Sequence, residues 1–317
     1  MSQTPDFGPI GEGPQPPLPP WTGHPYYPGF AMPYGDPRFN PADPLVSGDY
    51  AGWWRRGFAV VRRGWRVLAL VQVCIAIPAL ALLIPVQLYA DLASRDLAAN
   101  SAQGDLAGFD KFLAAAGVSM LALVVVGLIS SIGTLTSARL VVSVAIGGEA
   151  HVGRAVRSVL PRVPALIGWS LLAGLICVGA LLACFLPVLY VGAVFVLLVP
   201  VVLFERGGGI SRCFSLFHTD LGAAVARTAT IFGLGVGISI FFGTLSTVVT
   251  AVVRGTAFPD PMAVASTGAV VADSVAATVL SVLGSLISGV VLTPLIVATY
   301  ADLRARREPF TTAYLAA

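Results

Sequence analysis

From residue 67 onward the chain alternates between long apolar runs and short polar connections. Six runs, at about 67–89, 112–137, 163–183, 186–204, 228–253 and 274–300, reach the roughly 20 residues that a helix needs to cross about 30 Å of hydrocarbon. The first contains thirteen Val, Leu or Ile residues. On the insertion scale they contribute roughly −4 to −8 kcal/mol, enough to offset Gln72, Gln87 and two prolines. The third and fourth runs are joined only by CFLP, which predicts a tight antiparallel hairpin. The second is diluted at its end by SSIGTLTSARL.

Ahead of the first run stands WWRRGFAVVRRGWR, residues 53–66. As a helix it places Trp54, Phe58, Val61 and Trp65 on one face, with Arg55, Arg56, Arg62 and Arg63 on much of the rest. A basic amphipathic helix with Trp on its apolar side belongs at a membrane surface, drawn to anionic head groups. No fold is available to present these arginines to nucleic acid. Segments beginning at Gly153 and Gly209 repeat the pattern ahead of later spans, which suggests three units of interfacial helix plus transmembrane hairpin.

The polar connections carry basic residues unevenly. Counted on alternate sides of the six spans, 16 basic residues fall on the side holding both termini and 3 on the other. The positive-inside rule then makes both termini cytoplasmic. Residues 1–50 hold 13 of the 23 prolines, and their PQPPLPPW stretch cannot form a continuous helix. This segment is read as a disordered cytoplasmic tail whose PxxP spacing suits an aromatic-lined groove on a protein partner. It has neither the basic start nor the apolar centre of a signal peptide. The expected organisation is therefore a tail (1–50), a six-helix transmembrane domain (51–310) and a short cytoplasmic C-terminus (311–317).

Composition agrees with this and removes some alternatives. Charged residues make up 11% of the chain, against about 25% in soluble domains, and the net charge is only +3. Of the 19 basic residues 18 are Arg, a bias that suits a high-GC bacterial genome and hence a bacterial cell membrane. Cys74, Cys177, Cys184 and Cys213 show no metal or redox spacing and are read as buried free thiols. His24, His151 and His218 have no catalytic partner at a recognisable spacing. No catalytic residue, cofactor or metal is expected.

Three passages carry a resemblance: LPVLYVGAVFVLLVPVVLFERGGGISRCFSLF, GEAHVGRAVRSVLPRV and TPLIVATYADLRARREPF. Together they resemble a family of multi-pass bacterial membrane proteins related to the membrane domain of some glycerophosphoryl diester phosphodiesterases. The resemblance covers roughly residues 50–315 and is most specific over residues 300–308. It implies a six-span, all-helical domain behind a Pro/Gly-rich tail. The catalytic barrel of those phosphodiesterases needs about 250 residues, and between these spans and short loops there is no room for one. Their activity does not carry over.

Charges at mid-membrane mark transporters and relays because each is expensive there. None lies near the centre of these spans. Glu205 closes the fourth, where Arg206, Arg212 or the cluster Arg304, Arg306 and Arg307 are candidate ion-pair partners on the cytoplasmic face. Small-residue rows (Gly233/Gly237 and Ser281/Ser285/Gly289) are expected packing seams, within the monomer or in a homo-oligomer. The resulting expectation is an all-α polytopic membrane protein with six transmembrane helices, cytoplasmic amphipathic interfacial helices and a disordered tail. Its expected role is that of a non-enzymatic scaffold or accessory subunit; the alternative is a transporter of a small neutral solute or lipid.

Overall fold

The structure is a computed structural model that describes residues 42–102, 107–205, 207–254 and 267–315. The tail as far as residue 41, with its PxxP segment, His24 and Arg38, lies outside the described residues, as does Arg206. Among the described residues the regular structure is entirely helical. The order is α1 (Tyr50–Ser101), α2 (Phe109–Ala145), α3 (Val152–Val159), α4 (Val163–Ala183), α5 (Phe185–Phe195), α6 (Leu198–Phe204), α7 (Gly209–Phe217), α8 (Leu221–Arg254) and α9 (Thr267–Ala305).

Local chemistry explains where these helices start and stop. Asp49 caps α1, its carboxylate accepting from the Gly52 amide at 3.2 Å. The Ser47 hydroxyl also donates to that carboxylate, at 2.9 Å, and holds Asp49 below its ordinary pKa. From there α1 runs unbroken for 52 residues through Pro78 and Pro85. At 1.5 Å per residue it is about 78 Å long, more than twice the thickness of a hydrocarbon core. The basic segment 53–66 is thus the opening of α1 and not an element of its own. The other two segments of the repeat are separate short helices, α3 and α7, each followed by a 3₁₀ turn and then a long helix. In the fourth span Pro200 lacks the amide that would bond the Val196 carbonyl, and the helix divides there into α5 and α6.

Six stretches are long and apolar enough to cross a membrane, and each expected span falls inside one of them. Helix α1 packs chiefly against α9 and α2, and α9 also against α8. Small residues make these approaches possible. A methyl group on Gly57 would meet the Leu295 side chain at 2.5 Å, and one on Gly64 would meet Val144 at 3.1 Å. On α9, Gly284 lies under Phe242 of α8 and Gly289 under Gln72 of α1. The expected seam through Gly233 and Gly237 is not used within the monomer, for both face open space among the described residues. Ser285 is exposed as well, its hydroxyl turned back to the Ser281 carbonyl.

The fully buried apolar side chains gather at one end of this arrangement. Leu68, Leu135, Val159, Val194, Leu197, Leu216, Leu295 and Leu303 belong to one cluster, built from the start of α1, the end of α2, α3, α5 to α7 and the end of α9. We call this the charged end. Toward the opposite, far end large apolar side chains face outward: Met120 is 67% exposed and Leu182 84%. Such a surface is untenable in water and ordinary in a bilayer. The same holds for Cys74 and Cys184, which are exposed among apolar neighbours and not buried as expected.

Residues on both sides of positions 50 and 311 pack into the charged end. Leu45 and Val46 are fully buried, and Phe310, Thr312 and Leu315 are nearly so. Both terminal segments pack into the charged end because their apolar side chains complete its core and their backbone groups find partners there.

Candidate functional site

The last turns of α9 present polar side chains to two sides. At 3.6 residues per turn, Tyr300 and Arg304 share one face, and Asp302 and Arg306 the other. The turn after α6 supplies the first side's partners. Gly207 and Gly208 take φ of 92° and 78°, a left-handed conformation open mainly to glycine, and so turn the chain back on itself. Arg212 of α7 then reaches Glu205 at the end of α6, with Nε to Oε2 at 2.6 Å. Glu205 Oε1 accepts from the Tyr300 hydroxyl at 2.8 Å, and Arg304 Nη1 donates to that same hydroxyl at 3.0 Å. Glu308 bridges Arg304 and Arg212. The Arg304 guanidinium also lies over the Phe310 ring at 5.0 Å.

On the other side Asp302, fully buried, is the centre. It pairs with Arg227 of α8 at 2.9 Å and Arg306 at 2.8 Å, and accepts from the Ser47 amide at 3.2 Å. Arg306 also bonds Asp220 and the Gly48 carbonyl. The Arg227 guanidinium lies 5.9 Å from the Trp53 ring, whose indole N–H donates to Thr299 at 3.1 Å. Arg227 Nε is buried without a partner among the described residues.

A third knot ties the two terminal segments to each other. The Asp43 carboxylate accepts from the amides of Leu45, Val46 and Thr312 and from the Thr312 hydroxyl. Arg56 donates to the Asp43 carbonyl at 2.7 Å, and Arg139 to the Leu315 carbonyl. Ion pairs buried this deeply gain little over a well-packed apolar core, but breaking one strands a charge. They fix which segments meet at this end.

The structure therefore brings together Glu205, Arg212 and Arg304 among the sequence candidates, with Arg212 the nearer partner. It directs Arg306 instead to Asp302 and Asp220, and leaves Arg307 exposed. Of the membrane-surface candidates, Arg55, Arg62, Arg63 and Trp65 are exposed, while Arg56 and Trp54 are partly buried. The face that α1 turns to the protein is Trp53, Gly57, Val60, Gly64 and Leu68, one residue away from the expected apolar face. Hydropathy gives no weight to glycine, so sequence reasoning misses that stripe. Asp302 and Tyr300 carry a signal, the i,i+4 spacings Tyr300–Arg304, Asp302–Arg306 and Arg304–Glu308. Asp43 and Arg227 carry none, since their partners lie far away in sequence.

Chemically, the cluster's carboxylates are committed to guanidinium, amide or hydroxyl donors. No group of His, Cys, Asp and Glu suited to a metal ion occurs among the described residues. No family model matches the chain, and neither a curated protein nor a solved structure is significantly similar to it.

Proposed function

We propose that this multi-pass membrane protein is a non-enzymatic scaffold or accessory subunit that presents its charged end to the cytoplasm. One observation carries the reading. The buried charges at that end, Asp302, Arg227 and Arg306, bind the protein's own segments together, and the exposed ones, Arg55, Arg62 and Arg63 beside Trp65, border the first span. This is how a rigid, membrane-anchored platform is built. The exposed arginines would meet anionic head groups, each contributing about 1 kcal/mol near the surface. The Pro-rich tail would recruit a cytoplasmic protein. The resemblance to the phosphodiesterase-associated membrane domain supports the six-span architecture and lends no catalytic residue.

Two experiments test this reading. A single cysteine at Ser101 in a cysteine-free background should label from outside intact cells, and one at Ser158 should not; the reverse result overturns the orientation. Truncation to residue 41 should abolish co-purification of a defined partner in mild detergent while leaving the protein folded. Flux of a solute or lipid in proteoliposomes, unaffected by that truncation, would replace the scaffold by a transporter. One structural feature favours this second reading: the cavity between α1 and α9.

A further inference from the structure

Helices α1 and α9 run antiparallel, and near the charged end they touch closely, with Leu295 over Gly57 and Gln72 over Gly289. Further along they part. Between them lies a cavity of about 350 Å³, walled by Leu83, Gln87 and Asp91 of α1 and by Ser274, Thr278 and Ser281 of α9. The α1 residues recur every fourth position and the α9 residues every third or fourth, so each set forms one stripe. The stripes face each other.

The cavity has a direction. Its inner end is formed by Leu83 and Val282, beside the hydroxyl of Ser281. Its outer end is polar, at Asp91 and Ser274, just past the first apolar run. The Ser274 hydroxyl donates to Asp91 Oδ2, and the Thr278 hydroxyl to the Ser274 carbonyl at 2.7 Å. Among the described residues, Asp91 Oδ1 and the Gln87 carboxamide have no hydrogen-bond partner. Arg95, one turn beyond Asp91, reaches Thr267 and not Asp91, and Asp273 is held by Thr250 of α8. An exposed carboxylate without a counter-charge thus stands at the outer mouth of this cleft.

We propose that this cavity binds an amphipathic cation in which the positive charge is joined directly to an apolar chain. The charge would sit at Asp91 with the carbonyl dipole of Gln87 beside it, and the chain would run past Leu83 and Val282 toward the bilayer centre. The order of groups decides against a zwitterionic phospholipid. Its phosphate lies between chain and ammonium, so seating the chain would press the phosphate against Asp91. The volume is at the lower end for ligand sites and suits a single chain. This inference does not depend on the scaffold reading and would hold for a scaffold or a transporter.

The full-length protein in nanodiscs of zwitterionic lipid provides the test, with radiolabelled decyltrimethylammonium as probe and decyl sulfate as its anionic counterpart. The cation should bind saturably at one site and the anion should not. Asp91→Asn should weaken binding at least about tenfold, while Asp91→Glu stays within about threefold of the parent. Ala277→Leu, which narrows the cavity midway along its length and leaves the carboxylate in place, should weaken binding at least about tenfold. Non-saturable uptake, equal binding of decyl sulfate, or a site indifferent to both Asp91→Asn and Ala277→Leu would overturn the proposal. Because Ala277→Leu and Asp91→Asn perturb different properties, misfolding of one leaves the other decisive.

Discussion

The two ends of the molecule solve the same problem with different partners. At the charged end Leu295, Val297 and Leu303 are fully buried against other helices, and each buried charge faces a counter-charge or a backbone group. Toward the far end Met120, Leu182 and Leu186 are more than half exposed and are solvated by hydrocarbon. Both regions carry many large apolar side chains. What separates them is the supply of small and polar residues, since Gly57, Gly64, Trp53, Thr299 and the α9 charges let helices approach and lock at the charged end. In a bilayer, apolarity inserts a helix and does not pack it. Packing has to come from elsewhere.

Breaking the charged end should have the largest effect. Asp302→Ala leaves Arg227 and Arg306 with a missing counter-ion in a buried site and should cost about 3–5 kcal/mol of unfolding free energy, measured in nanodiscs. Arg227→Ala in the same background should add much less than it costs alone, because the two share one interaction. Strict additivity would show that the pair is not coupled and that the latch is held by packing only.

Next comes the knot between the terminal segments. Asp43→Ala removes the acceptor for the amides of Leu45, Val46 and Thr312 and should cost about 2–3 kcal/mol. Protection of the 308–315 amides from hydrogen exchange should fall with it. Undiminished protection would mean that Phe310 and Leu315 anchor the C-terminal segment unaided.

Six helices were legible in the sequence because an apolar run of bilayer length has few alternative fates. Proline alone did not mark the boundaries inside the spans: α5 and α6 divide near Pro200, whereas α1 continues through Pro78 and Pro85 and α9 through Pro294. The charged end was legible at Glu205, which closes an apolar run among arginines and does meet Arg212 and Arg304; the one-turn spacings Tyr300–Arg304 and Asp302–Arg306 carry a further signal that hydropathy does not weigh. Pairings such as Asp302 with Arg227, or Asp43 with Thr312, depend on the tertiary arrangement, and no local period encodes them. The boundary set at residue 50 followed proline content, which describes backbone freedom and says nothing of the burial of Leu45 and Val46.

Glycines sharpen the comparison between seam and open face. Gly57→Ala places a methyl group against Leu295 and should cost about 1–3 kcal/mol. The same change at Gly237, where open space surrounds the position, should be neutral or stabilise the helix by up to about 1 kcal/mol. Equal losses at the two positions would mean that Gly237 faces a second subunit, and analytical ultracentrifugation in detergent would then show an oligomer.

The smallest effect is expected where the side chain is largest and most exposed. Leu182 is 84% exposed at the end of α4 and Met120 is 67% exposed in α2. In a soluble core, truncating either to Ala would strip away packing and leave a cavity, at about 2–5 kcal/mol. Here both side chains touch lipid, whose chains fill the vacated space in the folded protein and around the separated helices alike. Leu182→Ala and Met120→Ala should therefore change stability by no more than about 0.5 kcal/mol in nanodiscs. The measurement must be made in a bilayer, because detergent could pack differently around a truncated surface. A loss of several kcal/mol at either position would show that this face is covered by protein, and the contrast between the two ends would then describe a subunit separated from its assembly.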